Sequence, residues 1–165
     1  MIELRLITDE DVAKVKNWPS YTDEFEAMDY ALRKDGWLDE YRERPMTWIY
    51  VAELDKQTVG FSLLSTTGEG EAEFRIAIHS RWIGKGLGKK IAFATLKKGF
   101  RQLNLTRIHL IVRKENKVAS KLYESLGFIK SGESTRMIQG KIIEFINMNL
   151  TKEDFDSHVV HARTE

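Results

Sequence analysis

The sequence predicts a mixed α/β fold, with a mostly antiparallel sheet flanked by helices. Three observations predict it. Runs of β-branched and aromatic residues between about Thr47 and His79 are separated only by short turn clusters, the mark of consecutive hairpins. A strand–helix–strand unit occupies the second half, from Ala72 through Val112. Two further strands surround Gln139-Gly140 near the end. The order is β-α-α-β-β-β-loop-α-β-α-β-β, which mixes hairpins with crossover helices.

Ile2 to Leu6 alternates apolar and polar residues and reads as a strand. Thr8 to Asp11 carries capping-box chemistry, so a helix follows to about Asn17. Trp18-Pro19-Ser20 ends it, because proline removes a donor and restricts the residue before it. A second helix is expected from Asp23 to Lys34, interrupted at Gly36, with Trp37 to Arg42 continuing helically. Beyond Pro45, the strands Thr47–Glu53 and Thr58–Thr66 form a hairpin about Asp55-Lys56-Gln57. Gly68-Glu69-Gly70 turns into a strand over Ala72–His79. Its apolar face holds Phe74, Ile76 and Ile78; the other holds Glu73, Arg75, Ala77 and His79. The glycine-rich loop Ile83–Gly88 leads to a helix with an apolar stripe of Phe93, Leu96, Phe100 and Leu103. Arg107–Val112 is a strand, Asn116–Leu126 a helix stopped at Gly127, and Phe128–Arg136 and Lys141–Leu150 are the closing strands. One domain over residues 1–150 is expected, with a polar, loosely held tail over Thr151–Glu165.

Composition excludes several classes. Of 165 residues 42% are hydrophobic, enough for a core, and the net charge of +1 favours neither nucleic acid nor membrane as partner. The chain has no cysteine, which removes disulfide frameworks, thiolate zinc sites and a cysteine nucleophile. His158 and His161 lack partner ligands at metal-binding spacing, so no metal is expected. Met1–Leu6 has none of the basic and apolar regions of a signal peptide, and no apolar run approaches the ~20 residues that span a bilayer. The expected location is cytoplasmic.

The loop Gly84-Lys85-Gly86-Leu87-Gly88 carries the first chemical signal. Glycines between a strand and a helix let the backbone approach a ligand, and the helix start offers unpaired N–H groups and a positive dipole end. Arg81, Lys85, Lys89 and Lys90 add positive charge, so the loop suits a pyrophosphate. Neither established glycine pattern fits. A Walker A loop ending at Gly88-Lys89 would need glycine at Ile83 and a hydroxyl at Lys90. G-x-G-x-x-G would need glycine at Lys89 or Ile91.

Ile83-Gly84-Lys85-Gly86-Leu87-Gly88 resembles the pyrophosphate signature Q/R-x-x-G-x-G/A of the GNAT superfamily of acyl-CoA-dependent N-acyltransferases, with Ile83 where Arg or Gln is usual. Asn116, Ala119, Leu122, Tyr123, Gly127 and Phe128 match every marked position of that family's N-x-x-A-x-x-L-Y-x-x-x-G-F pattern. The two motifs fall in the family order within Ala72–Phe128, and the resemblance in element order covers roughly Ile2–Leu150. Leu4-Arg5 and Thr8–Asp11 look like the branch of ribosomal-protein, polyamine and aminoglycoside acetyltransferases. The resemblance implies a GNAT-like fold and transfer of an acetyl group from acetyl-CoA to an amine.

It also implies roles. Ile83, Gly84, Lys85, Gly86, Leu87, Gly88 and Lys89 bind the coenzyme. Backbone N–H groups near Ile78 and His79 polarise the thioester carbonyl, in a strand that splays from its parallel neighbour. Tyr123 protonates the departing thiolate, as a phenol of pKa ~10 can, or else packs beside Leu122 and Leu126. Glu73 is the general base, with Glu71 and His79 as rivals, or else an exposed strand carboxylate. Asn116 bonds the coenzyme or its surroundings, caps its helix, or both; Lys121 meets a phosphate or only solvent.

The segment Asp23–Arg44 carries more acids than bases, suited to steering a cationic amine, and Trp18, Trp37 and Trp48 suit a cation–π wall or an ordinary core. Polyamines, aminoglycosides and protein N-termini stay open as acceptors, and so does a homodimer. The competing class is a non-catalytic acyl-CoA-binding or regulatory domain, against which an intact Tyr123 and Glu73 argue.

Overall fold

Helix α1 (Asp9–Lys16), after strand β1 (Ile2–Leu6), begins as its sequence demands. The Thr8 hydroxyl accepts from the Asp11 N–H at 3.2 Å, and the Asp11 carboxylate accepts from the Thr8 N–H at 2.8 Å. Arg5 forks onto the same carboxylate at 2.6 and 2.8 Å. Asp11 is 5% exposed, and hydrogen bonding to the guanidinium holds its carboxyl far below the usual range.

The computed structural model describes residues 1–21, 31–32 and 36–164. The helix expected over Asp23–Lys34 falls almost wholly outside them. The elements that follow are α2 (Trp37–Arg42), β2 (Thr47–Leu54), β3 (Gln57–Gly68), β4 (Glu71–Ile78), a 3₁₀ turn (Ser80–Trp82), α3 (Leu87–Arg101), β5 (Arg107–Arg113), α4 (Lys117–Ser125), β6 (Ile129–Ile138), β7 (Lys141–Thr151) and α5 (Lys152–Thr164). The sheet has seven strands in the order β1-β2-β3-β4-β5-β7-β6, and the recorded β1–β2, β2–β3, β5–β7 and β6–β7 pairs are antiparallel.

The chain forms two compact units, and β4 contributes to both. In the first, Met1–Thr66 with Phe74–Lys97, the β2–β3 hairpin buries Val51, Phe61 and Leu63 with Val15, Leu38, Tyr41 and Ala77. Ala52, Val59, Ile78, Leu87 and Ile91 make a second cluster. Ala77 and Ile78 are successive residues in different clusters, so β4 is covered on both faces. The face holding Glu73, read as the non-core side, is therefore buried as well; Ala77 is 3% exposed.

In the second unit, Thr67–Glu73 with Lys98–Glu165, β7 lies between β5 and β6. β4 pairs with β5 in parallel over three residues, Glu71↔Arg107, Ala72↔Ile108 and Glu73↔His109. Phe100, Ile108, Leu110, Met148, Leu150 and Phe155 are buried.

Two expectations need correction. Phe93 is 36% exposed and Leu103 lies past the end of α3. The buried stripe is instead Ile91, Ala92, Thr95, Leu96 and Phe100. Thr95 hid the true stripe: a polar residue is buried here because its hydroxyl donates to the Ile91 carbonyl at 2.8 Å and meets the Ser62 hydroxyl at 2.7 Å. Within the segment Thr151–Glu165, expected to be loose, Lys152–Thr164 forms α5. The Thr151 hydroxyl accepts from the Asp154 N–H at 3.1 Å, Asp156 pairs with Arg101 at 2.7 Å, and Phe155 packs 5.1 Å from the Phe100 ring. Phe155 is the buried aromatic that anchors this mostly polar helix. Among the described residues no helix is long and apolar enough to cross a membrane.

Candidate functional site

The loop after the 3₁₀ turn spans Ile83–Gly86, and α3 begins at Leu87, so Leu87 and Gly88 belong to its first turn rather than to the loop. Gly84 has φ +81° and Gly86 φ +78°. Among the described residues, a Cβ built on either meets nothing within 4 Å. Backbone conformation, not protein packing, demands glycine there, and the space over both residues is open. Lys85 and Lys89 are exposed, and the first turn of α3 has no acid, so its N–H groups and dipole keep their positive potential. Ile83 packs on the cluster of Val59, Ile78 and Ile91. That contact accounts for an apolar side chain where the signature has Arg or Gln.

At the end of β4 the structure separates the two expected thioester donors. The His79 N–H donates to the Val59 carbonyl at 2.8 Å, so it is already engaged. Successive residues of a strand point their backbone groups to opposite sides, which directs the Ile78 N–H away from β3. The His79 imidazole accepts the Arg81 N–H on Nδ1 at 3.0 Å, which puts the proton of the neutral ring on Nε2. Burial, then the Arg81 charge, lowers its pKa. Trp18 packs against the ring at a centroid distance of 4.9 Å. With its Nδ1 lone pair occupied, His79 is a poor rival for the base.

Glu73 is 7% exposed, not the exposed strand carboxylate of the bland expectation. Asp11 and Glu73 are the buried acids among the described residues. His109 is the register partner of Glu73, and its Nε2 lies 2.8 Å from the Thr67 hydroxyl. Burial lowers the His109 pKa, and the negative charge of Glu73 works against that shift. Glu71, the other rival, is forked by Arg107 at 3.1 and 2.8 Å, and hydrogen bonding to that guanidinium lowers its pKa. Arg107 also donates to Asn149 at 2.7 Å. A carboxylate bound in this way is a weak base, which weakens Glu71 as a rival.

Asn116 caps α4, its side-chain oxygen accepting from the Ala119 N–H at 3.1 Å. Tyr123 is half-buried on α4 with its ring edge-on to Phe128, centroids 5.8 Å apart. The Leu126 and Phe128 N–H groups close onto its carbonyl at 3.0 and 3.1 Å. Lys121 is exposed.

Trp37 is buried, 5.3 Å from the Phe61 ring, and the cation over it is the protein's own Arg75 at 5.7 Å. It is a core residue. Trp18 and Trp48 are half-buried. Five of the eight acids of that stretch lie outside the described residues; within them, Asp39 pairs with Lys16 and Glu40 with Arg44, both at 2.5 Å.

Sequence reasoning missed Tyr21, whose hydroxyl donates to the Ile78 carbonyl, and the His109–Thr67 pair. Tyr21 follows the break at Pro19 and carries no local signal. His109 did carry one: it alternates with the apolar Ile108 and Leu110 on the polar face of β5.

Comparison with known proteins agrees with this architecture. Over 86 residues the chain is 38% identical to spermidine N(1)-acetyltransferase of Escherichia coli K12, covering 51% of this chain and 46% of that protein. The chain thus spans about half the length of that curated relative. An uncharacterized N-acetyltransferase, p20, of Bacillus licheniformis is 28% identical over 157 residues, 90% of this chain and 84% of that protein. Among solved structures, the spermidine N-acetyltransferase from Vibrio cholerae in complex with CoA and spermine superposes with a TM-score of 0.77 at 24% identity, covering 93% of this chain and 97% of that chain, and shows the same fold. The family model of the acetyltransferase (GNAT) domain matches residues 2–129. The chain therefore belongs to the GNAT acetyltransferase family.

Proposed function

We propose that the chain transfers the acetyl group of acetyl-CoA to a primary amine by direct attack on the thioester. The amine nitrogen bonds to the carbonyl carbon, the carbon–sulfur bond breaks, the amine gives up a proton and the thiolate leaves as coenzyme A. One observation carries the reading: two glycines at positive φ under open space, at the head of a helix whose first turn holds no acid. Such a turn is shaped for a pyrophosphate rather than for protein.

In this reading Gly84, Lys85, Gly86, Leu87, Gly88 and Lys89 hold the coenzyme phosphates through backbone donors and two ammonium groups. The Ile78 N–H is the donor to the thioester oxygen, the His79 N–H being committed to β3. Glu73 takes the proton of the attacking amine; its support is its buried place on β4. Tyr123 returns a proton to sulfur. Asn116 orders the start of α4 and the coenzyme's surroundings.

A small cationic amine of the polyamine kind is the first acceptor to test, supported by the named relatives and by the bound spermine of the Vibrio cholerae structure. Protein or peptide N-termini come second. The cytoplasm is the assigned compartment. A homodimer is the assigned assembly, supported by Met137 and Ile142, register partners that expose 67% and 71% of their surface on the β6–β7 hairpin.

The test is release of free thiol from acetyl-CoA in the presence of spermidine, spermine and N-terminal peptides, with mass spectrometry of the product. Thiol release that depends on the amine, with one acetyl group gained on nitrogen, is expected. Coenzyme binding without transfer to any amine would overturn the reading.

A further inference from the structure

The hydroxyl of Tyr21 donates to the Ile78 carbonyl at 2.6 Å, across 57 residues of sequence, in a buried setting. The peptide that joins Ile78 to His79 is thereby held at both ends. Its carbonyl is bound by Tyr21, and its N–H is bound by the Val59 carbonyl at 2.8 Å. A peptide is planar, so two bonds on opposite sides fix its orientation. That orientation sets ψ of Ile78 and so limits where the Ile78 N–H on the preceding peptide can aim.

The same few residues grip the following position too. Trp18, three residues before Tyr21, packs against the His79 ring, and the Arg81 N–H fixes that ring through Nδ1. Tyr21 is 6% exposed, so its hydroxyl is out of water and depends on protein partners. Packing alone would be served as well by phenylalanine.

We infer that Tyr21 is a positioning residue for acyl transfer: its hydroxyl holds the Ile78–His79 peptide so that the Ile78 N–H stays aimed at the developing oxyanion. This rests on the proposed use of the Ile78 N–H. A preorganised donor acts where charge develops in the transition state, so loosening it lowers kcat while leaving ground-state coenzyme binding almost untouched.

The experiment compares wild type with Tyr21→Phe and Tyr21→Leu, in the assay above and by amide hydrogen exchange of the ligand-free protein. Tyr21→Phe keeps the ring. Its kcat should fall about tenfold, as for a modest loss of alignment, with the acetyl-CoA dissociation constant within about twofold of wild type. Exchange at Ile78 and His79 should quicken several-fold, with the other β4 amides unchanged. Tyr21→Leu should show the same losses together with a lower Tm. Wild-type kcat in Tyr21→Phe, or unchanged exchange at Ile78 and His79, would overturn the inference. If wild type acetylates no amine, the proposed function fails instead. Exchange at the two amides then decides by itself whether Tyr21 holds the peptide.

Discussion

Nε2 of His109 lies 2.8 Å from the hydroxyl of Thr67, and the parallel register of β4 and β5 sets His109 opposite the buried Glu73. The charged groups acting on the ring are Glu73 and Glu71, which favour its cationic form, and Arg107, which opposes it; burial outweighs them and lowers the pKa. In the unfolded chain the ring takes its proton near 6.5. Below that pH the unfolded state therefore binds more protons than the folded state, and stability must fall as pH drops. Tm should decline between pH 7.5 and 5.5, and His109→Gln should flatten the decline. His79, lowered in the same direction, is the control to vary in parallel. Melting curves across this range decide; an unaltered slope in His109→Gln would show that the ring does not resist protonation.

Gly86 separates backbone conformation from ligand binding. An L-residue at φ +78° costs about 1–2 kcal/mol, less for asparagine, and among the described residues no atom lies within 4 Å of its Cβ. Gly86→Asn should fold and keep part of its affinity for acetyl-CoA. Gly86→Glu places a negative charge against the pyrophosphate and should lose binding. For wild type, ligand at ~100 times its Kd adds about 2.7 kcal/mol of stability, a rise of several degrees in Tm. A folded Gly86→Glu with that full rise would remove the loop from the coenzyme site.

Tyr123→Phe keeps the edge-on contact with Phe128 and removes only the hydroxyl. If that hydroxyl protonates the thiolate, kcat should drop on the order of 10²-fold while acetyl-CoA affinity stays near wild type. Single-turnover rates check this without interference from slow product release. Wild-type chemistry in the variant would leave Tyr123 as a packing residue.

Glu73→Gln tests the proton acceptor with an isostere suited to a buried site. A base role predicts that kcat/KM falls most near neutral pH, where an amine of pKa ~10.4 is mostly charged, and recovers partly as pH rises. A role in attracting a cation predicts a higher KM with kcat unchanged, and a defect that narrows as salt screens wild type. A wild-type profile across pH and salt would exclude both roles.

The features legible in the sequence are those whose partners lie close along the chain. The Thr8–Asp11 box, the Asn116 cap, the turn at Gln139-Gly140 and the positive φ of Gly84 and Gly86 depend on contacts or steric limits within a few residues. Residue types at fixed spacing determine them by themselves. The alternating and helical patterns likewise placed nearly every described strand and helix to within two or three residues. What the pattern could not reveal was which polar residues would be buried, because their partners come from other elements. Thr95 is buried against Ser62, Tyr21 against the Ile78 carbonyl, and Glu73 beside His109, each across 33 residues or more. The apolar stripe read along α3 passed over Thr95, and alternation set Glu73 on the face opposite Phe74, Ile76 and Ile78. The helix α5 escaped notice for the same reason: Phe155 in a mostly polar stretch has no value until Phe100 is there to meet it. Burying a polar group is unfavourable unless a partner stands in place of water, and only the tertiary structure supplies that partner.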